Sequence, residues 1–263
     1  MKPYLDSYIE SLLSSGHYCF TRDELHKKFD ANDAAIRQCL QRLSRNKIIL
    51  HIRNGFYVII PPEYRKAGVL PPEMFIGEFM HNLNRPYYIG LLSAAALHGA
   101  GHQQPQRFSV ITEKPPIRPV ELSNLKISFP VKSKIPPIGI EQKKTPAGYI
   151  NVSSPELTAL DLMTYFKQSG GIASVTAVLE ELAESMVPEK MKITQATSST
   201  ALQRLGYVLE EVLDEKPLAD AVWEVLKSRS FFHIPVNPSG DKSNCPISKR
   251  WKVTINIDLE SEL

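Results

Sequence analysis

The sequence predicts an α+β protein with a small N-terminal domain and a larger mixed α/β domain, and three observations lead to this prediction. Residues 17–60 hold two short helical patterns followed by two apolar runs that flank Asn54-Gly55. Proline pairs at positions 61–62 and 71–72 interrupt the chain. Beyond them, strand-like and helix-like segments alternate, which is typical of a small sheet covered by several helices.

The two helical patterns are short and begin with recognisable start signals. Thr21-Arg22-Asp23-Glu24 has the order of a capping box, in which the Thr and Glu side chains satisfy free backbone N–H groups. Asp33 is the predicted N-cap of the second helix, which runs to about Asn46. The apolar residues of this second helix are spaced by four and three and therefore share one face: Ile36, Leu40 and Leu43.

A hairpin is predicted after the second helix. Apolar residues alternate over 48–52, and Asn54-Gly55 separates them from the run 56–60. Asn-Gly favours a tight hairpin because both residues tolerate positive φ. An amphipathic segment with Leu5, Ile9 and Leu12 supplies a further helix. Together these elements predict a winged helix-turn-helix over residues 1–66.

The predicted function of this first domain is binding of double-stranded DNA. Arg can donate two hydrogen bonds to guanine, and Gln can pair in the same way with adenine, so a helix rich in both suits the major groove. Basic and amide residues at a hairpin tip suit the backbone or minor groove. The candidate DNA-binding residues are Thr21, Arg22, Arg37, Gln38, Gln41, Arg42, Arg45, Lys47, Arg53 and Asn54.

Charge supports this interpretation. Residues 1–66 hold eleven Lys and Arg against seven Asp and Glu, a net charge of +4, whereas residues 67–263 have a net charge of −1. Positive charge on one domain favours a nucleic-acid partner. Two alternatives stay open at this point: winged helices also serve as protein-interaction modules, and a basic helix face is often simply solvated.

The larger domain is assigned to residues 67–263. Its predicted helices cover 73–83, 87–98, 155–166, 172–186, 200–213 and 217–227, and its predicted strands cover 107–112, 125–131, 139–144, 149–152 and 251–259. Five lysines could form a second basic surface on this sheet, with a solvated face as the alternative: Lys126, Lys132, Lys134, Lys143 and Lys144.

Composition excludes several classes of protein. The 263 residues are 43% hydrophobic and 22% charged, which is ordinary for a globular chain. No apolar run is long enough to span a bilayer. Three widely spaced cysteines give neither a disulfide framework nor a metal motif, which is consistent with a reducing cytoplasm. We therefore expect a cytoplasmic protein without a metal or other cofactor.

Four strings resemble signatures of AbiEi-type antitoxins. They are Tyr87-Tyr88-Ile89-Gly90-Leu91-Leu92-Ser93-Ala94 with His98-Gly99, then Val152-Ser153-Ser154-Pro155-Glu156-Leu157-Thr158-Ala159-Leu160-Asp161-Leu162, then Arg204-Leu205-Gly206-Tyr207, and finally Arg250-Trp251. The resemblance covers nearly the whole chain. It singles out Tyr88, Ser93, His98, Glu156, Asp161, Arg204, Arg250 and Trp251 as signature residues of the antitoxin domain.

The resemblance implies a role in a type IV toxin–antitoxin system, of the kind linked to phage abortive infection. Relatives repress their own operon by binding inverted repeats in the promoter through the winged domain. Their C-terminal domain counteracts a nucleotidyltransferase-like toxin without forming a stable complex with it. The same resemblance implies a transcription regulator and antitoxin rather than an enzyme.

The residues themselves predict no catalytic or metal site. His98 and His102 are four apart, but two intervening glycines argue against a zinc-binding helix. Glu156 is predicted to be a helix-start residue, and Asp161 is predicted to be a polar anchor. A catalytic carboxylate role for this pair is the alternative. Trp251 reads as a buried anchor, and Arg250 is expected to pair with an acid such as Asp161.

Three alternatives to the antitoxin hypothesis remain open from the sequence. One is an orphan winged-helix regulator whose C-terminal domain is an interaction or ligand-sensing module. Another is an enzyme that modifies the toxin or its RNA target. The last is a protein that sequesters a toxin in the manner of type II antitoxins, although those use a short disordered tail. The operator sequence, the oligomeric state and the toxin's target do not follow from the sequence.

Overall fold

The computed structural model describes residues 2–101, 105–122, 124–191 and 197–259, and for residues 2–4 only the backbone. These parts of the chain are mixed α and β, as the sequence predicts. The helices are α1 (Lys2–Ser14), α2 (Arg22–Lys28), α3 (Asp33–Arg45), α4 (Ile76–Asn82), α5 (Leu91–Leu97), α6 (Pro155–Thr164), α7 (Ile172–Ala183), α8 (Ser199–Tyr207) and α9 (Lys216–Leu226).

The strands of the described residues form three sheets. The strands are β1 (Cys19–Thr21), β2 (Ile49–Arg53), β3 (Phe56–Ile59), β4 (Tyr87–Ile89), β5 (Phe108–Glu113), β6 (Val120–Leu122), β7 (Leu125–Ser128), β8 (Val131–Lys132), β9 (Ile140–Thr145), β10 (Gly148–Ser153), β11 (Ile234–Pro235), β12 (Ile247–Ser248) and β13 (Val253–Thr254). Their orders are β1-β3-β2, then β6-β7-β5-β4-β10-β9 with β8 on β5, and β11-β13-β12.

Backbone contacts divide the chain into two units. The first unit comprises Met1–Tyr87, Thr112–Val131 and Gln142–Asn151, and the second comprises Tyr88–Ile111, Lys132–Glu141 and Val152–Leu263. Residues 67–87 therefore belong with the N-terminal elements. Each unit has its own apolar core, built from a separate set of buried side chains.

The core of the first unit lies between its three N-terminal helices and the β1-β3-β2 sheet. Leu25, Ile36 and Leu43 from the helices pack with Phe20 and Ile49 from the strands. The apolar face predicted for α3 is buried, because all three of its spaced residues are at most 4% exposed. Burial of this apolar face fixes which side of α3 faces outward.

Local sequence signals position these elements. The capping box forms: the Glu24 N–H donates to Thr21 Oγ1 at 3.2 Å, and the Thr21 N–H donates to Glu24 Oε2 at 2.9 Å. Asn54 and Gly55 both adopt positive φ (49° and 72°) between β2 and β3, as the hairpin prediction requires. These local interactions explain why the sequence located both elements correctly.

The N-cap of α3 differs from the prediction. Asn32, not Asp33, caps the helix, because its side-chain oxygen accepts from the Ala35 N–H at 2.8 Å. Asp33 is the first helical residue, and its carboxylate is thereby free to bind basic side chains. Asn and Asp cap equally well, so sequence alone does not separate the two neighbours.

The predicted helix over residues 87–98 is wrong in its first turn. Residues 87–89 form β4, and Ile89 lies opposite Val152 in a parallel pairing with β10. The helix α5 begins only at Leu91. Pairing with a distant strand decides the conformation here, and such tertiary pairing overrides local helical periodicity.

The predicted C-terminal strand over residues 251–259 is also mostly wrong. Only Val253 and Thr254 are paired, with β11 on one side and β12 on the other. The predicted helix over 200–213 divides into α8 and a π-helical segment, Val208–Val212. Trp251, which precedes the short strand, is fully buried.

The core of the second unit surrounds α6. All its residues from Pro155 to Met163 are buried, and α7, α8 and α9 pack in the same apolar cluster. Trp251 contributes the largest buried side chain and meets Trp223 edge to face, with ring centroids 5.6 Å apart. A helix buried on all sides explains why its few polar residues need partners within the protein.

Candidate functional site

The outward side of α3 presents a polar stripe. Gln38, Gln41 and Arg45 are exposed and lie three and four positions apart, so they share one helix face. The three side chains line a shallow depression together with Ala35, Cys39, Arg42 and Asn46. Within the described part of the chain no side-chain partner is found for any of the three. They are therefore available to an external ligand.

Arg22 and Arg37 are bound to a carboxylate within the same unit. The Arg37 Nη2 lies 2.6 Å from Asp33 Oδ2, and the Arg22 Nη2 contacts Asp33 Oδ1. His26 Nε2 lies 3.2 Å from the same oxygen. Hydrogen bonds from Arg22 and Arg37 lower the pKa of Asp33 to about 2. The carboxylate therefore remains charged and offsets part of the positive charge at the start of α3.

Arg42 lines the same depression as the stripe, but its guanidinium is bound by a carboxylate of α1. Its Nη2 donates to both oxygens of Asp6 on α1, at 3.0 and 3.1 Å, and lies 3.7 Å from Cys39 Sγ. Its Nε is buried and has no hydrogen-bond partner among the described residues. The ion pair joins α3 to α1, and in this position Arg42 orients the helix.

The remaining candidate residues lie at the ends of α3 and of the hairpin. Lys47 is exposed just after α3 and adopts a positive φ of 53°. Asn54 is exposed at the hairpin tip, and the adjacent Arg53 donates from Nη2 to the Pro119 carbonyl at 3.0 Å. Thr21 caps α2 through its side chain. A neutral carbonyl does not cancel the Arg53 charge, so this charge is still available to a ligand.

The second unit contains a buried charged cluster. Asp161 on α6 accepts from the Tyr88 hydroxyl at 2.7 Å, and Lys132 Nζ lies 2.5 Å from its other oxygen. Tyr88 is fully buried and Asp161 is 1% exposed. Burial raises the pKa of Asp161, while Lys132 and Tyr88 act in the opposite direction. Burial also raises the pKa of Tyr165 to about 12, with a further contribution from Asp161.

This cluster fits a structural role better than a catalytic one. A substrate cannot reach a carboxylate that is 1% exposed and already holds two partners. The cluster instead fixes α6 to β4 and β8, as expected of an ion pair with full hydrogen bonding. The prediction of Asp161 as a polar anchor identified the residue but not its partners. Lys132 is not part of a solvated lysine surface, because it points to Asp161.

The other residues at the start of α6 are also engaged. The Glu156 carboxylate accepts from Ser154 Oγ at 2.7 Å and from the Val187 N–H at 3.0 Å, so its helix-start position is as predicted. His98 Nε2 lies 2.7 Å from the Ser153 carbonyl. Ser93 Oγ accepts from the Ser109 N–H at 2.9 Å. Apart from the local Ser154–Glu156 hydrogen bond, each contact joins segments of the second unit that are 16 to 55 positions apart.

Arg204 and Gly206 position the C-terminal segment. Arg204 Nε donates to the Val236 carbonyl at 3.0 Å, and its guanidinium lies over the Phe166 ring, 5.3 Å from the centroid. Burial lowers the pKa of Arg204. A Cβ at Gly206 would lie 2.0 Å from Trp251 Cζ3, so this position requires glycine for close approach.

Arg250 pairs with different acids from the one predicted. Its guanidinium contacts Glu210 Oε1, and its Nη2 lies 2.6 Å from Asp220 Oδ1. The Trp251 indole N–H donates to Glu210 Oε2 at 2.5 Å. Asp161 is not involved, because Lys132 already occupies it. Sequence periodicity could not find these pairs, since the partners lie 30 to 41 positions apart.

No metal site is found in the described ranges. Among these residues, no group of three His, Cys, Asp and Glu side chains could hold an ion. The His98 and His102 pair is not tested, since His102 lies outside the described residues. None of the helices in the described ranges is long and apolar enough to cross a membrane.

The structure thus defines an α+β protein with an exposed polar helix in one unit and a buried polar cluster in the other. Residues 88–211 match the family of the AbiEi antitoxin C-terminal domain. The matched segment contains the first three signature strings almost completely. The match confirms the resemblance to AbiEi-type antitoxins over this part of the chain.

Comparison with solved structures identifies the fold. The RV2827C protein from Mycobacterium tuberculosis superposes with a TM-score of 0.66 at 14% identity, covering 94% of this chain and 89% of that chain. This likeness shows a shared fold. An antigenic nucleotidyltransferase-like protein from Paracoccidioides brasiliensis gives a TM-score of 0.43 at 10% identity, over 57% of this chain and 90% of that one, and supports no conclusion. No curated protein matches the chain.

Proposed function

We propose that this protein is a transcriptional autorepressor and antitoxin of a type IV toxin–antitoxin system. In this proposal residues 1–66 form a winged helix-turn-helix that binds inverted repeats in the promoter of its own operon. Residues 67–263 counteract a nucleotidyltransferase-like toxin without a stable complex. The protein acts in the cytoplasm, without a cofactor and without catalysing a reaction.

The observation that supports DNA binding is the stripe of Gln38, Gln41 and Arg45. These side chains stand on the outward face of a helix whose opposite face is buried in the unit's core. Gln and Arg are the residue types that read adenine and guanine in the major groove. The helix follows α2 after a short turn, as a recognition helix does. In this arrangement α3 enters the groove and the β2–β3 hairpin contacts the flanking backbone.

The arrangement of charges refines which arginines contact DNA. Arg42 is committed to Asp6, and Arg22 and Arg37 are committed to Asp33. Arg45, Lys47 and Arg53 have no carboxylate partner in the described part of the chain. Three phosphate contacts give a slope of roughly −2.7 for log K against log salt. This slope is less steep than the value of roughly −4.5 that all five Lys and Arg residues between positions 33 and 57 would give.

The antitoxin half of the proposal follows from the family of residues 88–211. The polar signature residues of this domain are each bound to other groups of the protein, so their role here is to hold the domain's shape. Neutralisation of the toxin then depends on other surfaces of the domain, or the domain acts on the product of the toxin's activity rather than on the toxin itself. An enzyme that modifies the toxin would need an accessible nucleophile or base, and the buried cluster provides neither.

The experiment for DNA binding compares the operon's own promoter with a scrambled duplex of equal length. We expect the Gln41→Ala and Arg45→Ala variants to lose about 1–3 kcal/mol of promoter affinity each, with less loss on scrambled DNA. Gln142→Ala, an exposed glutamine of the same unit, serves as the matched control. Equal affinity of the wild-type protein for both duplexes would refute sequence-specific repression.

The experiment for the antitoxin role uses the adjacent toxin gene. Co-expression should restore growth, while the two proteins elute separately in size-exclusion chromatography. The intact mass of the toxin should be unchanged. A stable co-eluting complex would favour sequestration, and a covalently altered toxin would favour an enzyme.

A further inference from the structure

A group of arginines near the hairpin tip differs from the arginines around α3. Arg53, Arg85 and Arg118 line one concave surface of the first unit, together with Asn54, Leu83 and Ile117. None of the described residues that line this surface is acidic. We call these three arginines, together with the exposed Lys114 on the adjacent chain segment, the hairpin-tip patch. None of these residues except Arg53 lies in the segment to which sequence analysis assigned DNA binding.

Neutral acceptors hold two of the three arginines. Arg85 Nη2 donates to the Pro115 carbonyl at 2.6 Å and also contacts the Glu113 carbonyl. Arg53 Nη2 donates to the Pro119 carbonyl at 3.0 Å. The same two side chains therefore fix both ends of the loop 113–119. Arg118 on this loop is exposed, and so is Lys114, which lies between the two carbonyls that Arg85 binds.

The patch keeps its positive charge because carbonyl groups do not cancel it. The arginines at α3 are different, since Asp33 and Asp6 accept their hydrogen bonds. A guanidinium has five N–H donors, and the hydrogen bonds from Arg53 and Arg85 to the loop use only the Nη2 nitrogen of each. Fixed guanidinium groups with spare donors are well suited to phosphate oxygens.

The geometry points to a phosphate-binding site for the backbone of duplex DNA at the hairpin-tip patch. This inference rests on the proposed function, because the hairpin that supplies Arg53 is the proposed wing. Duplex DNA is the favoured occupant since the patch continues directly from the hairpin tip through Arg53 and Asn54. Contacts to phosphate position a protein on DNA but read no sequence. The patch thus adds affinity, and the α3 stripe provides specificity.

The salt dependence of binding gives a quantitative test. Arg45, Lys47 and Arg53 predict a slope of roughly −2.7, and Arg85, Lys114 and Arg118 steepen it to roughly −5.4, since each phosphate contact contributes about −0.9. The double variant Lys114→Ala with Arg118→Ala should make the slope less steep by about 1.8. Between 50 and 200 mM salt this corresponds to about a tenfold smaller loss of affinity.

The experiment measures wild-type and variant proteins on the promoter duplex, a scrambled duplex and a hairpin RNA. The double variant should weaken binding to both duplexes by the same factor, whereas Gln41→Ala should weaken the promoter complex selectively. Arg65→Ala is the matched control, an exposed arginine of the same unit that does not line the patch. Both replaced side chains are exposed, and thermal melting checks that the variants fold.

The outcomes separate the two proposals. If the wild-type protein binds neither duplex, the proposed function fails and this site fails with it. If Gln41→Ala lowers promoter binding but the double variant keeps the wild-type slope, the phosphate site alone is refuted. Loss of binding to the hairpin RNA with unchanged binding to both duplexes also refutes it, and assigns the patch to RNA.

Discussion

The two units of this protein place their charged residues in opposite ways. In the first unit, Gln38, Gln41, Arg45 and Asn54, which the sequence selected, are exposed on α3 and at the hairpin tip. In the second unit, most of the signature residues are buried and all of the polar ones have partners within the protein, as Asp161 does in Lys132 and Tyr88. A surface of exposed residues can be replaced at little cost in stability, whereas a buried cluster cannot. The comparison teaches that a family signature can identify a domain's framework rather than its functional surface.

The largest expected effect is in the buried cluster. Asp161→Asn keeps the side-chain shape but leaves Lys132 without a counterion, so we expect a loss of about 3 kcal/mol in the free energy of unfolding. Chemical denaturation measures this loss. The double variant Asp161→Asn with Lys132→Met should recover much of it, because no unpaired charge is then left.

Lys134→Met provides the control, since Lys134 is an exposed lysine two positions away. Its unfolding free energy should stay within about 0.5 kcal/mol of the wild type. Equal stability of Asp161→Asn and the wild type would mean that the cluster is not structural. The contrast between the two units would then be lost, and an active role for Asp161 would have to be reconsidered.

A second test concerns the close contact in the core of the second unit. Gly206→Ala places a methyl group 2.0 Å from the Trp251 ring, so we expect a loss of about 1–3 kcal/mol in stability. In a Trp251→Leu background, Gly206→Ala should cause a smaller loss of stability than it does in the wild-type protein. If Gly206→Ala costs the same with and without the indole, the clash does not explain the glycine.

Sequence reasoning succeeded where a structure depends on neighbouring residues. The capping box at Thr21 and the start of α6 after Ser154 are each fixed by a side chain three positions from the backbone N–H that it accepts from. The Asn54-Gly55 turn forms because both of its residues adopt positive φ. The helix predicted to begin at Tyr87 failed because β4 depends on β10, more than 60 positions away. Local periodicity contains no information about such a partner.

The same reason limits the prediction of the sites. Asp161 and Arg250 were both expected to find partners, but the sequence did not provide a way to choose among distant charges. Lys132 was grouped with four other lysines, although it alone of the five pairs with the buried Asp161. The spacing within α3 predicted that Gln38, Gln41 and Arg45 are exposed. It did not predict that Arg42, which directly follows Gln41, forms an ion pair with Asp6.

A smaller effect is expected at the helix start in the first unit. Thr21→Ala removes the acceptor for the Glu24 N–H, which should cost about 1 kcal/mol in stability. Thr21→Ser retains the hydroxyl and should lose much less. The difference in unfolding free energy between the two variants, measured by chemical denaturation, gives the contribution of the capping hydrogen bond. Equal losses would attribute the effect to the methyl group instead.

The last test changes charge at the start of α3 without changing its shape. Asp33→Asn removes the carboxylate that binds Arg22 and Arg37, while the cap at Asn32 is untouched. If α3 lies on DNA, the released arginines should increase affinity at low salt. Each additional phosphate contact should steepen the salt slope by about 0.9. Asp30→Asn, at an exposed acid before the helix, is the control.

The acid stability of the same variant gives an independent reading of Asp33. Its pKa is about 2 in the folded protein, below its ordinary value of 3.8. A lowered folded-state pKa means that the contribution of the ionised carboxylate to stability is complete above pH 3.8 and is lost as the pH falls towards 2. The free energy of unfolding of the wild-type protein should therefore exceed that of Asp33→Asn above pH 3.8, and this difference should disappear over the window in which the pH falls towards 2. A constant difference across the window would show that Arg22 and Arg37 do not hold the carboxylate in solution, and those two arginines would then join Arg45 among the cations available to DNA.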